Sequence, residues 1–141
     1  MHRDLCQQLL ADEVTACNRG RLRARLANDV LLDEDGRVVF EVETQYGRQV
    51  LTLQGDNYDA EPLGLSAIDP DTRQPLPEDR WPARLRSGLH PITQEPWYCM
   101  RGLAEYYIHP SHVSESWDQD RVARRLEVVI GHLLDRMEVP A

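Results

Sequence analysis

The second half of this 141-residue chain contains a single cysteine, Cys99, near the end of the stretch HPITQEPWYCM that runs from His90 to Met100. A cysteine so placed can do one of three things. It can be a small buried hydrophobe, since cysteine is among the most buried residue types. It can be a metal ligand: His90, Cys99, His109 and His112 supply one thiolate and three imidazoles, a zinc set by ligand type. Their separations of nine and ten residues match no zinc signature, however, and only His109-x-x-His112 is close-set. It can also be a nucleophile that carries an acyl group as a thioester. That role needs an exposed sulfur with thiolate character, and an ordinary thiol of pKa about 8.5 is only a few per cent ionised at neutral pH. Arg101 and the histidines 90, 109 and 112 are the candidate neighbours that could assist it. His109-Pro110-Ser111-His112 cannot lie mid-helix, because proline disfavours helical geometry in the residue before it. A turn there could aim both rings at one spot. A bound zinc would consume the thiolate, so the second and third roles exclude each other.

The elements that must position these residues are legible around them. Leu5, Cys6, Leu9, Leu10, Val14 and Cys17 recur at helical spacing, which predicts a first helix ending near Asn18-Arg19-Gly20 with Gly20 as a left-handed cap. Cys6 and Cys17 fall on its apolar stripe and read as core. Three β-prone runs follow in NDVLLDEDGRVVFEVETQYGRQVLTLQG, broken at turns where Gly36 and Gly47 supply positive φ. Val38, Phe40 and Val42 alternate with Val39, Glu41 and Glu43, so one face of this meander is apolar and needs a helix over it. Prolines 62, 70, 75, 77 and 82 leave room for a short edge strand, about Leu63 to Ile68. The span from Trp81 to Ser116 reads as a long ordered loop, stiffened by Trp97, Tyr106, Tyr107 and Trp117. Val122, Leu126, Val129, Ile130, Leu133, Leu134 and Met137 predict one long helix, starting near Trp117 behind a Ser116/Gln119 capping box and stopping before Pro140. The whole is one α+β domain over residues 1–141: N-terminal helix, four-stranded antiparallel meander, long active-site loop, long C-terminal helix.

Composition narrows the partners. The formal net charge is -8, which repels phosphate backbones and argues against nucleic acid. No long apolar run suggests a membrane, and the start MHRDLCQQLLADEV lacks a signal peptide's basic end and apolar block, so the cytoplasm is the expected compartment. Three scattered cysteines do not make a disulfide framework. All sixteen basic residues are arginine, and lysine is absent.

The order of elements resembles the ubiquitin-conjugating enzyme (UBC-like) family, in a truncated form. Tyr58 and Pro62 in YDAEPLGLSAID are similar to the family's Tyr-Pro-x-x-Pro-Pro approach to the fourth strand. His90-Pro91 resembles its His-Pro-Asn turn, Cys99 follows at about the distance of its catalytic cysteine, and Trp117 resembles the tryptophan that opens its next helix. Ile92 stands where the family has the asparagine assigned to the oxyanion, the stretch from Cys99 to Trp117 is longer than usual, and the two C-terminal helices are missing. Such divergent chains resemble bacterial relatives in operons associated with antiviral defence.

The resemblance implies a transferase in which Cys99 takes a ubiquitin-like protein from a ubiquitin-activating-like enzyme and passes it to an acceptor protein, without cofactor or metal. It also implies a site built on Cys99 and His90. With the asparagine absent, His109 or His112, with Tyr107 behind them, are the expected oxyanion donors, or else backbone amides near Cys99; one such donor is worth on the order of 3 kcal/mol. Two alternatives stand beside this: a UBC-like docking module without activity, and the zinc protein described above. Absence of lysine fits a chain that must not conjugate to itself, and it fits arginine-biased codon usage equally.

Overall fold

The structure is a computed structural model that describes residues 3–138. It has the α+β order read from the sequence. Helix α1 (Arg3–Arg19) leads into strands β1 (Leu31–Leu32), β2 (Val38–Thr44), β3 (Gly47–Gln54) and β4 (Gly64–Ile68), and then into α2 (Ala104–Ile108), α3 (Trp117–Asp120) and α4 (Leu126–Glu138). The strands form one antiparallel sheet in chain order. Alternation sets the register: Val38 faces Leu53 and Phe40 faces Leu51, so the apolar side of each strand falls on one face. Gly36 and Gly47, at φ of 77° and 92°, make the turns on either side of β2.

That apolar face is covered by two helices. Leu10, Val14 and Cys17 of α1 and Leu126, Ile130 and Leu133 of α4 form one core with Val38, Phe40, Leu51 and Leu53. Val39, Val50 and Ile68 form a small second cluster, on the opposite side of β2 from Val38 and Phe40 because neighbouring strand residues point to opposite faces. Cys6 and Cys17 are buried, and burial, with the Glu127 and Glu13 carboxylates adding to it, pushes the Cys17 thiol up to about 12. No helix among the described residues is long and apolar enough to cross a membrane.

Three local expectations need correction. Leu5 is 63% exposed, so the buried stripe of α1 starts at Cys6. Gly20 is not left-handed: its φ is −96°, because the chain leaves α1 extended and turns at once into a 3-10 segment, Arg21–Arg25. The predicted long last helix is two helices. Ser116 makes no side-chain cap, α3 stops at Asp120, and Val122 is 81% exposed in the turn that precedes α4. The break has a tertiary cause. Arg125 turns toward α1, pairing with Glu13 and with Asp59 at 2.6 Å, while Glu13 Oε1 accepts from the Leu126 amide at 3.0 Å. A carboxylate from α1 thus caps α4. Glu138 is the last described residue of that helix, and Pro140 lies outside the described residues.

Candidate active site

In the segment between β4 and α3, the stretch before Cys99 is held by backbone pairing. Ser87 N–H donates to Trp97 O at 2.9 Å and His90 N–H to Glu95 O at 2.9 Å, which folds residues 87–97 back on themselves as a narrow excursion. His90 locks it from inside. The residue is 1% exposed; its Nδ1 accepts from the amides of Ile92 (3.0 Å) and Thr93 (3.3 Å), so the proton sits on Nε2, which donates to Glu105 O at 2.8 Å. Trp97 packs edge-on against His90, with ring centroids 4.7 Å apart, and His109 stacks on Trp97 at 5.0 Å. The turn thereby presents Cys99 outward. The residue is exposed, and its amide donates to Ser87 Oγ at 2.9 Å.

Beside the sulfur lies one ring of the expected set. Cys99 Sγ is 3.6 Å from His112 Nε2, and His112 Nδ1 is 2.8 Å from Glu115 Oε2. The carboxylate can only accept, so Nδ1 carries the proton and Nε2 presents its lone pair to the thiol. The ring is fixed from below by Tyr106, stacked at a centroid distance of 3.8 Å and an angle of 16°. The Tyr106 hydroxyl donates to Glu115, 2.8 Å from each oxygen, and Arg101 pairs with the same carboxylate. The Tyr106 hydrogen bond foremost, with Arg101 and His112, holds the Glu115 carboxyl below its ordinary range. Partial burial, and then the Glu115 charge, push the Cys99 thiol up. Both effects favour the neutral thiol over the thiolate. His112 Nε2 is placed to take the thiol proton, and an imidazolium formed there would lie between the sulfur and the Glu115 carboxylate.

The other expected site residues are engaged elsewhere. His90 uses both ring nitrogens on backbone. His109 Nδ1 accepts from the Ser111 amide at 3.1 Å and from its hydroxyl at 2.7 Å. The Tyr107 hydroxyl donates to Asp120 at 2.7 Å and accepts from the Gly102 amide at 3.0 Å. The zinc set is not assembled: among the described residues no group of three or more His, Cys, Asp or Glu side chains is placed to hold a metal ion. Ile92 is 60% exposed at the loop tip.

Sequence reasoning missed Glu115 and Ser87, and it read Tyr106 only as packing. One signal was available. His112 and Glu115 are three residues apart, and in a turn closed by Glu115 N–H to His112 O at 3.0 Å that spacing puts both side chains on one side. Short helix α2, also missed within the loop, brings Tyr106 beneath them.

Helix α2 is itself tied to the sheet by an acid. Ala104 N–H donates to Leu63 O at 2.9 Å, and Glu105 Oε1 accepts from Leu65 N–H at 3.1 Å along the β4 edge. Glu105 is half-buried as a residue, yet its Oε2 is sealed from solvent without a partner. Burial raises its carboxyl from 4.5 to about 7. The folded state thus holds this proton more tightly than the unfolded chain. Its contribution to stability is complete below the unfolded value and is lost as pH rises toward 7. Denaturant titrations across that interval should show wild type losing up to about 3 kcal/mol relative to Glu105→Gln. Parallel pH curves for the two proteins would refute it.

Compared with protein-family models and with curated proteins, the chain matches none.

Proposed function

We propose that the protein is a ubiquitin-conjugating-like transferase, in which Cys99 receives the C-terminal acyl group of a ubiquitin-like protein from an activating-like enzyme and passes it to an acceptor protein. The observation that carries this reading is the exposed Cys99 thiol with His112 Nε2 at 3.6 Å and Glu115 behind the ring. In the receiving step the thiol proton moves to His112 and Sγ attacks the incoming thioester carbon. The bond to the activating enzyme's sulfur breaks, and that sulfur takes the proton. In the passing step His112 accepts the acceptor's proton as its nucleophile attacks, and Cys99 leaves and is reprotonated. The order of helix, four-stranded antiparallel sheet, long loop and last helix supports this reading, as do the sequence likenesses at Tyr58, His90-Pro91 and Trp117. A docking module would need no base aimed at its cysteine.

An authentic ubiquitin-like protein with its activating enzyme and ATP should give a reductant-sensitive adduct that is absent in Cys99→Ala. Cys99→Ser should convert any adduct into an ester that resists reductant. Failure to form the adduct with an active partner set would sink the proposal.

A further inference from the structure

We infer that the chain, without any partner, is an acyl hydrolase for small unhindered esters and thioesters, acetyl or glycyl in class, using Cys99, His112 and Ser87. The inference rests on the reading of Cys99 as a nucleophile and goes beyond the transfer proposed above. A durable thioester carrier must keep its acyl group away from activated water. A small acyl group cannot cover its own carbonyl as a bound protein would, so this site leaves it open to water. The base that ionises the thiol stands 3.6 Å from the sulfur, and acylation removes the S–H proton that occupies its Nε2 lone pair. Glu115 keeps Nδ1 protonated and Tyr106 keeps the ring in place, so the lone pair stays aimed at whatever enters next. Cys99 is exposed, and Val113, next to His112 in the chain, is 82% exposed, so water can reach an acyl carbon on the sulfur. An exposed sulfur suits small acyl groups, which need no enclosing pocket.

Ser87 completes the site. Its oxygen accepts from the Cys99 amide at 2.9 Å, which occupies that amide and leaves the serine hydroxyl hydrogen as the donor available to an oxyanion on that side. In acylation the Cys99 proton passes to His112 Nε2, Sγ bonds to the acyl carbon, the ester C–O bond breaks, and the leaving alkoxide or phenoxide takes the proton. In deacylation water gives a proton to His112 and its oxygen bonds to the acyl carbon. The C–Sγ bond then breaks, and the sulfur recovers the proton. The net change is ester plus water to acid plus alcohol, with no oxidant, reductant or metal required.

The test uses p-nitrophenyl acetate with the full chain. Wild type should release a burst of one nitrophenolate per chain and then turn over steadily, with acetyl found on Cys99 by mass spectrometry after quenching. Cys99→Ala should abolish both phases. Protein acetylated beforehand and freed of reagent should lose its acetyl group at least about 100-fold faster in wild type than in His112→Gln or His112→Asn. Equal loss in wild type and both variants would overturn the inference. A burst without turnover would overturn it too, while leaving the carrier reading intact. No burst and no acetyl on Cys99 would overturn both.

Discussion

Replacing His112 by glutamine is expected to slow acylation of Cys99 by two to four orders of magnitude, the range typical of losing a positioned general base. The environment of the sulfur makes the effect large. Partial burial and the Glu115 carboxylate both disfavour the thiolate, and the His112 ring at 3.6 Å is the group placed to take the proton. Glutamine preserves a polar side chain above Tyr106 but cannot accept a proton at neutral pH. Stopped-flow measurement of the p-nitrophenyl acetate burst gives the acylation rate directly, and a rate within threefold of wild type would remove His112 from the chemistry. His90→Gln is a useful contrast. That ring reaches no reacting atom but holds the loop by three backbone hydrogen bonds, so its loss should appear first as reduced stability.

The second large effect is on the fold. Glu13→Ala should destabilise the protein by roughly 2–4 kcal/mol, the cost of breaking a partly buried ion pair from one side together with the loss of the α4 cap. Glu13 holds Arg125, the Tyr58 hydroxyl at 3.0 Å and the Leu126 amide at 3.0 Å, and its side chain is only 15% exposed. Removing it leaves a guanidinium with Asp59 as its remaining carboxylate and uncaps α4 in the same stroke. Urea unfolding followed by tryptophan fluorescence would measure it. A loss under about 1 kcal/mol would mean that this network behaves like a surface salt bridge.

Hydrophobic period carried the sequence reading a long way. The alternation in β2 and the glycines at 36 and 47 identified the meander and its turns, because each depends on residues a few positions apart. The same reasoning extended the last helix back to Trp117, since Val122 keeps helical phase with Leu126. It failed because phase says nothing about Glu13, 113 residues from the amide it caps. The site divides the same way. An exposed Cys99 after a His-Pro turn was legible; which histidine would face it was not. His109 and His112 share one turn, and a single tyrosine decides between them: Tyr106 lies flat under His112, while Trp97 draws His109 toward His90.

What the sequence by itself determined was the α+β order, the core cysteines, the loop that carries Cys99, and an acidic, lysine-free composition. These are properties of local spacing and residue type. The tertiary structure alone decided that His112 rather than His90 or His109 reaches the sulfur, that Glu115 and Tyr106 orient it, and that α3 and α4 are separate. Those outcomes turn on side chains from distant segments meeting at hydrogen-bonding distance, and such meetings depend on the packing of the whole chain rather than on any repeat within it.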